Sequence, residues 1–391
     1  MNHSQSPTPR DPITYLDNGA TTPVDPEVIE TMVSILRDGF GNPSSLHRLG
    51  AEAGRVLRQA RQRVADALSV DPDEIVFTGG GTEADNIGVR GAALSASPKR
   101  KHALLFALEH PAVLQQRSFL ENRGFVVEEI PSLNNGICDL DALETLIRPA
   151  ETALVAVMLA NNEIGTIQPL VEIGDLMEDQ CPEAALHVDA VQAFTKMPVR
   201  PRSYRATTLA LAAHKFHGPK GVGVLYARKK SRITPLVVGG GQERGLRPGT
   251  ENVAAIAGFA KATQLGMEHL QTDVERMTKL RDWLIGTLCN SIDNVVLNGD
   301  PVKRICNNVN VNIRGARSEI LLHALEERGV FVSSGSACHA SQKGPSHVLR
   351  AIGLSEEDTG CLRITLSRFT TEEDVRHCAD ALTQVVPEAR P

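Results

Sequence analysis

Through the first two thirds of the chain, short runs of apolar and β-branched residues alternate with longer stretches whose apolar positions recur at helical spacing. Short apolar runs bounded by Gly, Pro, Asn or Asp are the pattern of buried strands, and the longer stretches that of helices. The pattern predicts strands at 74–78, 102–108, 125–130, 153–159, 186–188 and 209–212, with a helix from about Ala84. Residues 222–226, flanked by glycine, read as a strand returning as a hairpin-like edge. Such alternation predicts an α/β domain around a mostly parallel sheet, whose ligands gather at the carboxyl ends of the strands. Residues 252–292 are rich in Ala, Leu, Glu, Lys and Met and predict one or two long helices leading out of that domain. Beyond them, strand-like runs at 308–313, 330–333 and 361–366 alternate with helical stretches, as in a smaller α+β domain.

Length supports this division, because 391 residues exceed the usual size of a single core. The expected parts are a disordered leader (1–14), a large domain (15–260) and a small C-terminal domain (261–391). The leader is polar and lacks the apolar segment of a signal peptide. With 41% hydrophobic and 23% charged residues, the composition is that of an ordinary globular protein. A net charge of -6 argues against a general nucleic-acid or acidic-membrane binder, and one Trp with three Tyr leaves few platforms for stacked bases. No apolar run approaches the length of a membrane span. The seven cysteines are scattered without a Cys-x-x-Cys pair, so neither a disulfide framework nor a metal site is expected. That usage fits a reducing cytoplasm.

Three places carry candidate chemistry. Lys215 follows the run at 209–212 and precedes Gly218-Pro219, so it stands where a buried strand ends in a turn. Partial burial there would depress its pKa and suit it to Schiff-base chemistry. Gly79-Gly80-Gly81-Thr82-Glu83 lies between a strand and a helix, where free N–H groups either are merely capped or receive a phosphate. Asp189 ends the run at 186–188, as a helix N-cap or as a buried acid that needs a cationic partner. A lysine for an aldehyde and an acid for a protonated pyridine nitrogen are the two groups a pyridoxal phosphate site requires.

Over 15–382 the chain resembles the cysteine desulfurase family, class V aminotransferase-like enzymes of fold type I. The resemblance rests on Tyr15-Leu16-Asp17-Asn18, Asn42-Pro43-Ser44-Ser45, Glu109-His110-Pro111, Asn161-Asn162-Glu163, His187-Val188-Asp189-Ala190, His214-Lys215, Arg247-Pro248-Gly249-Thr250-Glu251-Asn252 and Ser334-Gly335-Ser336-Ala337-Cys338. It implies a large domain with a mostly parallel seven-stranded sheet, a smaller α+β domain, pyridoxal 5'-phosphate and a homodimer. By position, Lys215 resembles the Schiff-base lysine, Asp189 the partner of the pyridine nitrogen, and His110 the histidine stacked on the ring. Asn161 and Gln192 match polar residues near the ring oxygen, with Asn161 also reaching the substrate. Gly81, Thr82 and His214 match phosphate contacts, and Thr250 the one that crosses from the other subunit. Arg363 matches the clamp on the substrate carboxylate, a task suited to a bidentate fork.

Cys338, in a run of small polar residues, matches the thiol that takes sulfur from L-cysteine as a persulfide, leaving alanine and supplying an acceptor such as an iron–sulfur scaffold protein. The other six cysteines read as packing residues. In one departure, Ala212 stands where most of the family has a serine, so a phosphate would lose one hydroxyl contact. Ala212 and the stretch 239–244 are also similar to selenocysteine lyases, which remain the alternative within the same chemistry. Another class V lyase or aminotransferase would have no use for Cys338, and a non-catalytic scaffold none for the whole set.

Overall fold

The computed structural model describes residues 13–335 and 345–390. Its strands are β1 (Thr14–Tyr15), β2 (Ile75–Thr78), β3 (His102–Phe106), β4 (Val126–Ile130), β5 (Thr152–Ala156) and β6 (Ala185–Asp189), followed by β7 (Thr208–Ala212), β8 (Gly223–Ala227), β9 (Val295–Leu297), β10 (Asn308–Ile313), β11 (Val330–Phe331) and β12 (Cys361–Thr365). Seven form the central sheet in the order β2-β8-β7-β6-β5-β3-β4. Neighbours pair in parallel from β7 to β4, and β8 alone runs against the rest. β3, β5, β7 and β8 are buried at every position, as expected of strands covered on both faces.

The predicted α/β architecture is present, with two local differences. The run at 222–226 does return antiparallel to β7, but it is an interior strand, because β2 pairs with its far side and takes the edge. The helix expected from about Ala84 begins three residues earlier, as Gly81–Ser95, with Gly80 as its cap.

Residues 252–292 divide at His269 into the helices Val253–Glu268 and Leu270–Ser291. The first is buried almost all round and packs on Pro26–Asp38 and Arg48–Leu68 beside the large core. The second contributes Leu280, Leu284 and Leu288 to a separate core under β10 and β12. Here β12-β10-β9 form an antiparallel sheet, and β1 pairs in parallel with β11. Leu16 packs in this second core, so the start of the described chain returns to meet its end. Bridges from Asp17 to Thr365 and from Ser333 to Arg363 bring that junction to the mouth of the central sheet.

Five of the cysteines expected to pack are buried, but Cys289 is exposed. It lies on the solvent side of Leu270–Ser291, whose apolar stripe is carried by other positions. No described helix is long and apolar enough to cross a membrane.

Candidate active site

A cavity of about 290 Å³ opens at the carboxyl ends of the parallel strands. Gly81 and Thr82 reach it after β2, His110 after β3, Met158 and Asn162 after β5, Asp189 and Gln192 at and after β6, and His214 and Lys215 after β7. Arg363 enters from β12 in the smaller body. Residues as far apart in sequence as Gly19 and Arg363 therefore face one space.

Lys215 leaves β7 through a single 3₁₀ turn, Ala213–Lys215. Its Nζ donates to the carbonyls of Gly19 (2.6 Å) and Ala20 (2.9 Å). Burial brings its pKa down to about 8, with Arg363 and Lys196 adding to the effect and Asp189 and Asp17 opposing it. Asp189 accepts the Val191 N–H at 2.9 Å in the turn that follows β6; no helix starts there, so it is not the helix N-cap that the sequence also allowed. The same carboxyl faces the cavity, where burial and then Asp85 raise its pKa to about 7. The acid is thus held close to neutrality until a cation meets it.

His110 caps the short helix Pro111–Leu114, and its Nδ1 accepts the Ala112 N–H at 3.1 Å. A neutral ring so held carries its proton on Nε2. Gln192 Nε2 donates to the Gly19 carbonyl at 3.0 Å. His214 pairs with Thr21 Oγ1 at 3.3 Å, and burial followed by the charges of Lys215 and Lys220 lowers its pKa to about 4.

Arg363 is 2% exposed. Its guanidinium donates to Asp17 Oδ1 at 2.8 Å and to the Asn162 carbonyl at 3.2 Å, and the buried Nε has no partner among the described residues. An aimed, incompletely satisfied guanidinium in a cavity is a receptor for a planar anion.

Asn161, expected near the ring and the substrate, does not line the cavity. Its Oδ1 accepts the Glu163 and Ile164 N–H groups, and its Nδ2 donates to the Leu108 carbonyl. It shapes the turn, and Asn162 presents itself to the cavity instead. Thr250 is exposed and lines neither this cavity nor the wide one beside it.

That wider cavity, about 1060 Å³, shares Ala20, Gly81, Thr82 and His214 with the first. Between them lies the glycine turn. Gly80 has φ 157°, and a Cβ on Gly223 would fall 2.5 Å from the Gly80 carbonyl carbon, so glycine at both positions lets turn and strand touch. A Cβ on Gly81 would meet the Ala212 methyl at 3.3 Å, which places Ala212 at the floor of the turn.

Cys338 lies outside the described residues. The chain on either side of it is tied to the site. Ser333 exchanges backbone hydrogen bonds with Arg363, Ser346 Oγ donates to the buried Glu163 carboxylate at 2.6 Å, and His347 Nε2 lies 3.0 Å from the Glu109 carbonyl.

Sequence reading missed several contributors. Asp17 appears in a motif with no role, yet it holds Arg363 across 346 positions. Glu109 adjoins His110, and burial, with Asp189 and Asp85, keeps its carboxyl well above the usual range. Asp85 and His187 pair behind Asp189. Their signal was present as acids and a histidine within apolar runs, where an ionisable group requires a partner.

Comparison with known proteins agrees with this geometry. The family model for class-V aminotransferases matches residues 14–377. A cysteine desulfurase of Trichormus azollae is 43% identical over 379 residues, 97% of this chain and 94% of that protein. A cysteine desulfurase IscS of Methanosarcina thermophila is 44% identical over 375 residues, 96% and 91% of the two chains. The solved structure of a NifS-like protein superposes with TM-score 0.90 at 36% identity, covering 96% of this chain and all of that one.

Proposed function

The chain belongs to the class-V aminotransferase family, among its cysteine desulfurases, and we propose that it takes sulfur from L-cysteine with pyridoxal phosphate held at Lys215. The observation that carries the residue assignment is the convergence of Lys215, Asp189, His110 and Arg363 on one cavity. The residues suit this cofactor. Asp189 is a buried acid needing a cation, Lys215 an amine of lowered pKa, and the glycine turn a cradle at a helix start whose N–H groups favour phosphate. The Ala212 methyl leaves that anion to Thr82, His214 and backbone N–H groups on this chain.

Pyridoxal phosphate, when bound, supplies a sink for the electron pair left at the substrate Cα. Lys215 would hold the cofactor's aldehyde, and its lowered pKa suits the free amine to take the proton at the substrate Cα. Asp189 keeps a proton at the ring nitrogen by offering it a buried negative partner. Arg363 takes the substrate carboxylate through the part of its fork that Asp17 and Asn162 leave open. His110 lines the cavity with its proton at Nε2, where it would pass that proton to or from the substrate.

Cys338 as thiolate then attacks the substrate sulfur. The new S–S bond forms as the Cβ–S bond breaks, with that pair and a proton completing the methyl group of alanine. Cys338 is left as a persulfide, and an acceptor protein such as an iron–sulfur scaffold takes the terminal sulfur. The absence of disulfides among the described cysteines fits a cytoplasmic setting.

A second copy of the chain completes this reading. Ile29, Val33, Leu36 and Phe40 form an exposed stripe at helical spacing along and just beyond Pro26–Asp38. The wide cavity stands open on the phosphate side, where Thr250 of a second copy would arrive.

The test assays wild type and Cys338→Ala with cysteine and with selenocysteine. Wild type is expected to release alanine and sulfide from cysteine, and the variant to lose that activity. Undiminished cysteine turnover by the variant would remove the persulfide step, and activity confined to selenocysteine would favour the lyase.

A further inference from the structure

Lys196 is a buried lysine, 7% exposed, that the chemistry above does not use. It follows Thr195, whose φ of 59° lies in the left-handed region. Such a conformation is unfavourable for a β-branched residue and persists only where the surroundings impose it. Here the turn is pressed against the helix Val253–Glu268, where a Cβ on Gly266 would fall 2.6 Å from the Thr195 side chain.

The turn aims the lysine inward. Its Nζ donates to the Gln192 carbonyl at 3.1 Å and the Lys215 carbonyl at 3.0 Å, and it forms no ion pair with a described carboxylate. A buried ammonium satisfied only by carbonyls keeps its positive field unneutralised. That field reaches the neighbouring amine, because Lys196 is among the causes that lower the Lys215 pKa.

We propose that Lys196 is a positioning residue for Lys215: it ties the Lys215 and Gln192 main chain together behind the cavity and, as a second cation, favours the uncharged, nucleophilic form of the Lys215 amine. The inference rests on the reading of Lys215 as the cofactor's anchor. A lysine beside another cation is a recognised way of activating an amine.

The other groups around the pair divide clearly. Facing Lys215, Arg363 works with Lys196, while Asp17 and Asp189 work against it. Facing Lys196 are the Cys306 thiol, which favours its cation but is itself pushed up to about 11 by burial, and His217, lowered to about 4. His214, next to Lys215, is likewise lowered to about 4. Asp273 lines the small cavity next to Lys196, and there it pairs with Arg368 at 3.7 Å. None of these cancels the Lys196 charge at neutral pH, and burial lowers Lys196 itself only to about 8.

The test is competitive trace acylation of Lys215 in the full-length chain, after hydroxylamine release of any bound aldehyde, read by peptide mass spectrometry across pH. Lys196→Met and Lys196→Gln remove the charge. They are expected to move the labelling midpoint up by about one pH unit, roughly a tenfold slower reaction at neutral pH. Lys196→Gln keeps a donor for the two carbonyls and serves if the Met variant does not fold. Lys196→Arg keeps charge and donors and is expected to keep the wild-type midpoint.

An unmoved midpoint in a folded charge-removing variant, or an equal shift in Lys196→Arg, overturns the proposal. Borohydride reduction with added pyridoxal phosphate reports separately on the anchor. Wild type that traps nothing at Lys215 would refute that reading, whatever the midpoints show.

Discussion

Asp85, which lines the cavity, and His187, buried behind it, show how single residues set the charge of the site. The imidazole Nε2 is 3.2 Å from Asp85 Oδ1, and its Nδ1 is 2.9 Å from Thr208 Oγ1. Burial raises Asp85 to about 8 and lowers His187 to about 4, so between those values both are neutral. The folded chain then keeps a proton on Asp85 that the unfolded chain releases, and this contribution to stability is lost as pH rises from about 4 to about 8. His187 acts oppositely, because the unfolded chain binds a proton below pH about 6.5 that the fold refuses until about 4. Asp85→Asn cannot ionise. It is expected to flatten the decline between about pH 4 and 8 and to be more stable than wild type at pH 8 by on the order of 2–4 kcal/mol. Urea unfolding of both proteins through that range checks it, and parallel pH profiles would mean that Asp85 is already ionised in the fold. Neither residue was legible as functional in the sequence, because their 102-position separation closes only when Gly81–Ser95 packs across β6. The sequence assigned the site role to Asn161 rather than Asn162 and was overturned for a similar reason, since only the fold of the turn decides which one supplies its hydrogen bonds.

The elements themselves were largely written in the chain. Apolar runs at 102–106 and 208–212 become strands covered on both sheet faces, while 126–130 is an edge strand that mixes buried and exposed positions, and local pattern is all that is needed to see them. The place of β8 was not legible, since a hairpin return looks the same whether or not another strand later pairs with its outer side. That pairing has a consequence for the glycine turn. A Cβ at position 223 would lie 2.5 Å from the Gly80 carbonyl carbon and 2.7 Å from the Leu211 carbonyl oxygen, both backbone atoms that cannot rotate away. Gly223→Ala is therefore expected to displace the turn at 79–81, costing about 1–3 kcal/mol of stability. It should also weaken retention of pyridoxal phosphate. Denaturant titration and the absorbance of the purified protein check the two effects, and full stability with full retention would show that the turn has room to move.

At the scale of the molecule, the small body does two things for the large one. It delivers Arg363 on β12, and it receives β1, so that Asp17 arrives beside the guanidinium it orients. The exposed stripe Ile29, Val33, Leu36 and Phe40 adds a third surface, which a second copy would cover. The full-length chain is expected to run in solution at twice its 42.2 kDa mass. Leu36→Glu combined with Phe40→Asp should shift it to the single-chain mass in light scattering and, if Thr250 is supplied by the second copy as proposed, reduce cofactor retention. A double variant that keeps the larger mass would place the contact elsewhere.

The sequence by itself determined the α/β architecture, the family, and the lysine, acid, histidine and arginine that meet in the cavity. Local periodicity and ordered motifs carry that information along the chain. Only the tertiary structure decided how those groups are charged and held. Lys196 and Lys215, Asp85 and His187, and Asp17 and Arg363 owe their properties to burial and to neighbours distant in sequence. A pKa shift or a directed hydrogen bond is a property of the space around a group, and that space exists only once the chain has folded.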